Sequence, residues 1–220
     1  MKKVFIFLGP PGCGKGTQTD KLSKELNIPH VDTGSLLREN IKNETEFGKI
    51  AKGFIDKGQL VPIEVVQSVI NERISRPDCK DGYILDGFPR SIEQAKALKT
   101  MWENSPFKFE TSEKVAVYFD IPTDVLVERL VNRRSCPKCG KIYNLISSAP
   151  KNEGKCDICD VELIQRKDDT KETAVLRFET YNNETKPLLD FYKNEGLLVQ
   201  INANQGIDAV YSELKSVIND

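Results

Sequence analysis

A lysine set among four glycines is the first chemistry the sequence offers. Gly9, Gly12, Gly14 and Gly16 fall within eight residues, interleaved with Pro10, Pro11, Cys13 and Lys15, and Thr17 follows. Glycines at that density let the backbone turn its N–H groups inward around an anion, and the positive end of a following helix adds to the attraction. Lys15 would supply a mobile charge. The spacing from Gly9 through Gly14 and Lys15 is that of a phosphate-binding loop, except that Gly16 stands where that pattern takes serine or threonine; the hydroxyl arrives one position later, at Thr17. The competing reading is a glycine-rich turn inside a buried strand–helix unit. Such a loop implies a nucleotide phosphate and leaves the reaction open.

Three further constellations bear on the chemistry. Asp86 ends the apolar run Tyr83-Ile84-Leu85, the placement of an aspartate that organises magnesium beside such a loop; alone it would equally read as a turn or capping residue before Gly87. The chain has twenty-three lysines and only nine arginines, so each arginine is worth placing singly. Six stand at suggestive positions: Arg38, Arg90, Arg129 and Arg133 one helical turn apart, Arg166 and Arg177. Guanidinium forks match phosphate oxygens in pairs, although any one of them could be a solvated helix charge. Arg73, Arg76 and Arg134 are left in that solvated class. Asp168 and Asp169, beside Arg166, either orient these arginines or begin a helix. The lone histidine, His30, is read as packing.

The last constellation is Cys136-x2-Cys139-x16-Cys156-x2-Cys159, whose spacing reads as a tetrahedral zinc site. Four thiolates leave no position open for water, so the metal would be structural. Disulfides between the pairs, or iron of the rubredoxin sort, are the competing readings. A nucleic-acid-reading finger would need a basic helical face, which this insert lacks.

The elements that must position these groups follow from periodicity. Val4 to Leu8 is an unbroken apolar run, expected as a strand buried on both faces. Lys15 to Leu26 form an amphipathic helix. Asp32-Thr33-Gly34-Ser35 offers caps to a helix over 36–42, a second helix covers 45–57 and stops at Gly58, and Pro62 opens a third. Further strands are expected at 83–86, 114–121 and 197–201, and helices at 91–103, 122–134, 170–194 (bent before Pro187) and 208–218. Alternating strands and helices give a doubly wound parallel α/β sheet.

Length and charge set the outer bounds. At 220 residues, with 32 basic and 33 acidic side chains, the chain fits one sizeable core with small insertions and has no global field to attract nucleic acid or an anionic membrane. No apolar run reaches the ~18 residues of a membrane span. The clustered cysteines suit a reducing compartment, so the expectation is a cytoplasmic protein; it is taken as a monomer, a state the residues themselves do not give.

Read together, Gly9 to Gln18, Asp32-Thr33-Gly34, Gly58 to Pro62, Asp86-Gly87-Phe88-Pro89-Arg90, Arg129 to Arg133 and Arg166 to Asp169 resemble the adenylate kinase family, in family order and over almost the whole chain. The long-lid, zinc-containing bacterial form is the best match. The resemblance implies a five-stranded sheet with a core at 1–31, 62–131 and 170–220, a flap for the nucleoside monophosphate at 32–61, and a lid at 132–169. It implies that Gly12, Cys13, Gly14, Lys15, Gly16 and Thr17 hold ATP phosphates, with Arg129, Arg133, the backbone at Ile142 and Tyr143, and Gln205 also contacting ATP. AMP would meet Thr33, Arg38, Gln59, Leu60, Val61, Gly87, Phe88, Pro89, Arg90, Gln94, Arg166 and Arg177. Lys15, Asp86 and the arginines at 90, 129, 133, 166 and 177 would carry catalysis. Cys13 departs from a position often filled by alanine, and Asn202-Ala203-Asn204 from an Asp-Gly.

The activity so implied is Mg·ATP + AMP giving two ADP, with magnesium and structural zinc as cofactors. The rivals are a kinase acting on UMP, CMP or GMP, and a non-catalytic zinc-ribbon module that binds nucleotide.

Overall fold

In the computed structural model, which describes residues 3–219, the strands β1 (Lys3–Leu8), β2 (His30–Asp32), β3 (Gly82–Asp86) and β4 (Lys114–Asp120) alternate with helices. After β1 comes α1 (Lys15–Leu26); after β2 come α2 (Thr33–Lys42), α3 (Glu46–Ile55) and α4 (Ile63–Ile74); after β3 comes α5 (Ile92–Asn104). Then follow α6 (Leu126–Val131), the short hairpin β5 (Arg133–Ser135) and β6 (Ile142–Asn144), α7 (Lys171–Thr180), α8 (Leu188–Asn194), β7 (Leu198–Asn202) and α9 (Ile207–Asn219).

The main sheet is five-stranded with order β2-β3-β1-β4-β7, every pair parallel. Alternation along β1 sends Val4, Ile6 and Leu8 to one core cluster, and Phe5 and Phe7 to another with Leu22 of α1 and Leu214 of α9. Both faces of the strand are therefore buried, which is why its sequence shows no polar alternation. From β1 the chain runs to β2 and β3 on one side and then crosses to β4 and β7 on the other, and the crevice at that switch point is where ligands of such sheets bind. Register places Asp86 opposite Phe7 and Asp32, so both carboxylates stand at the same edge as the glycine loop.

Helix caps fall where the side chains offered them. Asp32 accepts from Gly34 N, Thr45 from Gly48 N and Ser91 from Gln94 N. Gly48 also answers a packing demand, because a Cβ there would lie 2.1 Å from Asn40 O, so only glycine lets α3 cross α2 so closely. Leu37, Ala51 and Val61 join the main core, fixing these two small helices over one side of the crevice.

One of the expected elements needs correction, and another gains detail. The helix expected over 122–134 is a 3₁₀ turn, Thr123–Val125, followed by α6, and it stops at Asn132. Its last carbonyls are taken by the hairpin instead of by another turn: Asn144 Nδ2 donates to Arg129 O and Leu145 N to Asn132 O. Arg133 therefore starts β5 and is not one helical turn from Arg129. The bend before Pro187 is a π-helical stretch, Tyr181–Thr185, whose wide turn is closed by Lys186 N donating to Tyr181 O.

Candidate functional site

The loop between β1 and α1 owes its shape to left-handed glycines. Gly12 has φ 83° and Gly14 φ 98°, and a Cβ on Gly12 would press within 3.2 Å of Leu126 O. Lys15 Nζ folds back over the loop, donating to Gly9 O at 2.7 Å and Pro10 O at 3.1 Å. A Cβ on Gly16 would sit 3.2 Å from Ile142 Cδ1 and 3.6 Å from Asp86 Oδ2, so both neighbours stand close over this position. The hairpin β5–β6 thus covers the loop from one side while Asp86 borders it from another.

The cleft so formed has a volume of about 560 Å³. Gly12 to Thr17, Thr33, Arg38, Gln59 to Val61, Asp86, Gly87, Pro89, Gln94, Ile142, Tyr143 and Gln205 line it, and so do Arg90, Arg129, Arg133, Arg166 and Arg177. Phe88 does not; its ring lies wholly inside the main core, against expectation. Tyr143 faces the cleft by its backbone edge only, since its side chain is buried among Cys136 and Cys156. Arg73, Arg76 and Arg134 stay outside: the first two pair with Asp78 and Glu72, and Arg134 caps the carbonyls of Val131 and Arg133.

Carboxylates hold part of this arginine cluster in place. Asp169 is fully buried and accepts two bonds from Arg133 and one, at 3.2 Å, from Arg177. Asp168 accepts from Arg177 at 2.9 Å. Burial would raise the Asp168 pKa, but Arg177, Arg133 and Arg166 outweigh it and hold the carboxyl below its usual range. Burial, then the facing charge of Arg133, pull Arg177 down to about 10. Arg166 is pulled to about 10 in the same way, by burial, Arg133 and Arg38. Both stay charged at neutral pH.

His30 does more than pack. Its Nδ1 lies 2.9 Å from Asp20 Oδ1 and its Nε2 3.5 Å from Asp86 Oδ2, beneath the loop. Burial alone would lower its pKa, yet the two carboxylates prevail and push it up to about 10. Asp20 lies on α1 and Asp86 at the end of β3, and they converge on His30 of β2 only in the fold, so no local spacing could have revealed the contact. Thr33 carries another signal: the residue is 3% exposed and its buried hydroxyl has no hydrogen-bond partner among the described residues.

Away from the loop, Cys136, Cys139, Cys156 and Cys159 bring their sulfurs within 4.8 Å of one another, none of them in a disulfide. A tetrahedron with metal–sulfur bonds of about 2.3 Å needs sulfurs about 3.8 Å apart; Cys139 and Cys156 are at 3.7 Å. The two C-x2-C turns are built alike. Cys136 O accepts from Gly140 N and Cys156 O from Asp160 N, with Gly140 at φ 75° and Asp160 at φ 51°. Amides of Lys138 and Cys139 also point at Cys136 Sγ, both at 3.4 Å, as suits a thiolate. The cluster is compatible with a closed tetrahedral metal site.

A glycine cradle at the switch point of a parallel sheet, faced by a lysine and a ring of arginines, defines a P-loop phosphotransferase of the kinase kind. Comparison with known proteins narrows this. The sequence model of the adenylate kinase family matches residues 7–197. Among curated relatives, an adenylate kinase of Clostridium novyi is 45% identical, covering 97% of each chain. One from Caldanaerobacter subterraneus subsp. tengcongensis is 44% identical over 97% of this chain and 95% of its own, and one from Clostridium tetani is 42% identical over 97% of both. The chain belongs to the adenylate kinase family and is a nucleotide-binding phosphotransferase.

Proposed function

We propose that the chain catalyses the reversible reaction ATP + AMP = 2 ADP in this cleft, with residues 32–61 as a flap over the AMP side and 132–169 as a lid over the ATP side. The observation that carries the reading is convergence: Lys15 and six arginines drawn from across the chain face one cavity. Two polyanions can be brought into line only if such a site offsets their repulsion, and fixed guanidinium donors do so without reorganising during the reaction.

In this reading Gly12 to Thr17 and Lys15 take the ATP phosphates, with Arg129, Arg133, the Ile142–Tyr143 edge and Gln205 completing the ATP side. Thr33, Arg38, Gln59 to Val61, Gly87, Pro89, Arg90 and Gln94 take AMP, the unpartnered Thr33 hydroxyl suiting a polar edge of the base. Arg166 and Arg177 serve the phosphoryl group in transit. AMP needs no general base, because its phosphate is largely a dianion above a second pKa of about 6. His30 is not a candidate base, being held between Asp20 and Asp86 as a cation. Closure of the lid would keep water from the reactive phosphate.

Asp86, a hard oxygen donor beside the loop, fits magnesium and would hold it through its hydration shell. Magnesium held there with ATP would supply positive charge to offset that of the phosphates. The four cysteines would hold zinc, which fixes the lid fold and leaves no position for chemistry.

The test is a coupled ADP-formation assay run with AMP, UMP, CMP and GMP, with metal content measured on the same sample. AMP as the preferred acceptor and about one zinc per chain are expected from a single four-thiolate site. Preference for another monophosphate would replace the substrate assignment, and the absence of ADP formation with all four would end it.

A further inference from the structure

Tyr143 stands between the cysteine cluster and the strand that covers the glycine loop. Its hydroxyl donates to Cys156 Sγ at 3.4 Å and accepts the Asp157 amide at 2.8 Å, and its ring, 2% exposed, fills the small core between Cys136 and Cys156. Lys141 Nζ lies over the same ring at 4.6 Å and reaches Asp157 Oδ2 at 3.4 Å, tying the second cysteine turn to the strand from its outer side. The neighbouring residue on β6, Ile142, points the other way, its Cδ1 3.2 Å from where a Cβ on Gly16 would stand. Successive strand residues face opposite sides, so one two-residue step of β6 has the metal sulfurs on one side and the phosphate loop on the other. We propose that Tyr143 is a positioning residue whose hydroxyl pins a metal-bearing cysteine to the strand that meets ATP, so that metal retention and ATP binding depend on the same bond. This rests on the zinc reading of the four cysteines.

The chemistry of the bond favours that role. A hydroxyl donating to a thiolate spreads the sulfur's charge and fixes its direction, and outer partners of this kind typically account for about 10–100-fold in metal affinity. The Asp157 amide keeps the hydroxyl from rotating away, because it occupies the oxygen's acceptor side and leaves the proton for sulfur.

Tyr143→Phe isolates the hydroxyl, since the ring and its packing stay. Zinc-loaded wild type and variant would be mixed with a chromogenic chelator and zinc transfer followed, and KM for ATP and for AMP measured on the same preparations. Zinc retention weaker by roughly 10–100-fold, with KM for ATP raised several-fold and KM for AMP unchanged, is the expected result. Zinc transfer at the wild-type rate would overturn the proposal, as would faster transfer with an unaltered KM for ATP. A side chain that merely packs moves neither quantity on loss of one oxygen. If wild type itself holds no stoichiometric zinc, the metal reading fails first, and this inference falls with it.

Discussion

Replacing Asp169 by asparagine tests whether the cleft's arginines are held by burial or by countercharge. The side chain is fully buried, and its carboxylate neutralises Arg133 and Arg177 at once, joining the first residue of β5 to the turn that precedes α7. Gln165 reinforces the same neck, its Nε2 donating to Asp169 O at 2.9 Å and Val131 O at 3.2 Å. Asparagine keeps the volume and removes the charge, turning two donors towards guanidinium groups that are themselves donors. Breaking a buried ion pair from one side costs about 3–5 kcal/mol. The lower end applies here, because Arg177 keeps Asp168 at 2.9 Å and both guanidiniums border the open cleft. For a chain of this size about 3 kcal/mol lowers the melting temperature by roughly 6–12 °C. Thermal melts followed by circular dichroism, with zinc present, measure it. A second arm adds ADP: the variant's uncompensated arginines should gain more from a bound polyphosphate than the wild type does. A fall of less than about 2 °C, combined with an equal gain from ADP, would refute the argument that this carboxylate holds the cluster.

Lys15→Met and Arg90→Ala should each lower kcat by about 10²–10³ or more, the scale of losing one preorganised charge at a transition state, while circular dichroism shows an unchanged fold. Near-normal turnover in either would count against the site. Chelating zinc should lower the melting temperature far more than the initial rate at low temperature, because Tyr143, Val161 and Leu163 are too few to hold the cysteine-bearing segment by burial; melting that is indifferent to chelation would refute this. His30, raised to about 10 in the fold, contributes stability that is complete below its unfolded pKa of about 6.5 and lost progressively as pH rises through about 10. His30→Gln should therefore cost most near pH 6 and little above pH 10, and the single imidazole should titrate near 10 by NMR in magnesium-free buffer; a midpoint near 6.5 would show that the carboxylates do not hold it. Arg166→Met should leave the melting temperature of ligand-free protein unchanged or raised, since burial, Arg133 and Arg38 all press against its charge. A loss as large as that from Asp169→Asn would sink this.

The central strands were legible in the sequence because burial on both faces leaves an unbroken apolar run, as in Val4 to Leu8. Edge strand β2 was not, being three residues of which His30 and Asp32 are polar. The end of α6 was hidden for a different reason: no residue there breaks a helix, and what stops it is Asn144 and Leu145 arriving from the hairpin. Among site residues, the glycine loop and the cysteines could be read because their chemistry needs local spacing. The arginines stood out against a lysine-rich background. His30 depends on partners brought by α1 and β3, and Phe88 on a core contact, so neither could be placed from its neighbours in the chain.

The six arginines divide into two kinds that composition does not distinguish. Arg38, Arg133 and Arg177 have carboxylate partners in Asp32, Asp169 and Asp168, whereas no carboxylate pairs with Arg90, Arg129 or Arg166 among the described residues. A paired guanidinium is already oriented and brings little uncompensated charge; an unpaired one costs the empty protein stability and returns it when an anion binds. Asp168 and Asp169 matter twice in this arrangement. They lower the repulsion among arginines enough for the cleft to form without ligand, and they leave the remaining positive charge beside the glycine loop, where the phosphates would lie. A cleft lined only with unpaired arginines would bind phosphate more strongly but would not hold its shape in the absence of ligand, and one in which every arginine was paired would have nothing left to offer a transition state.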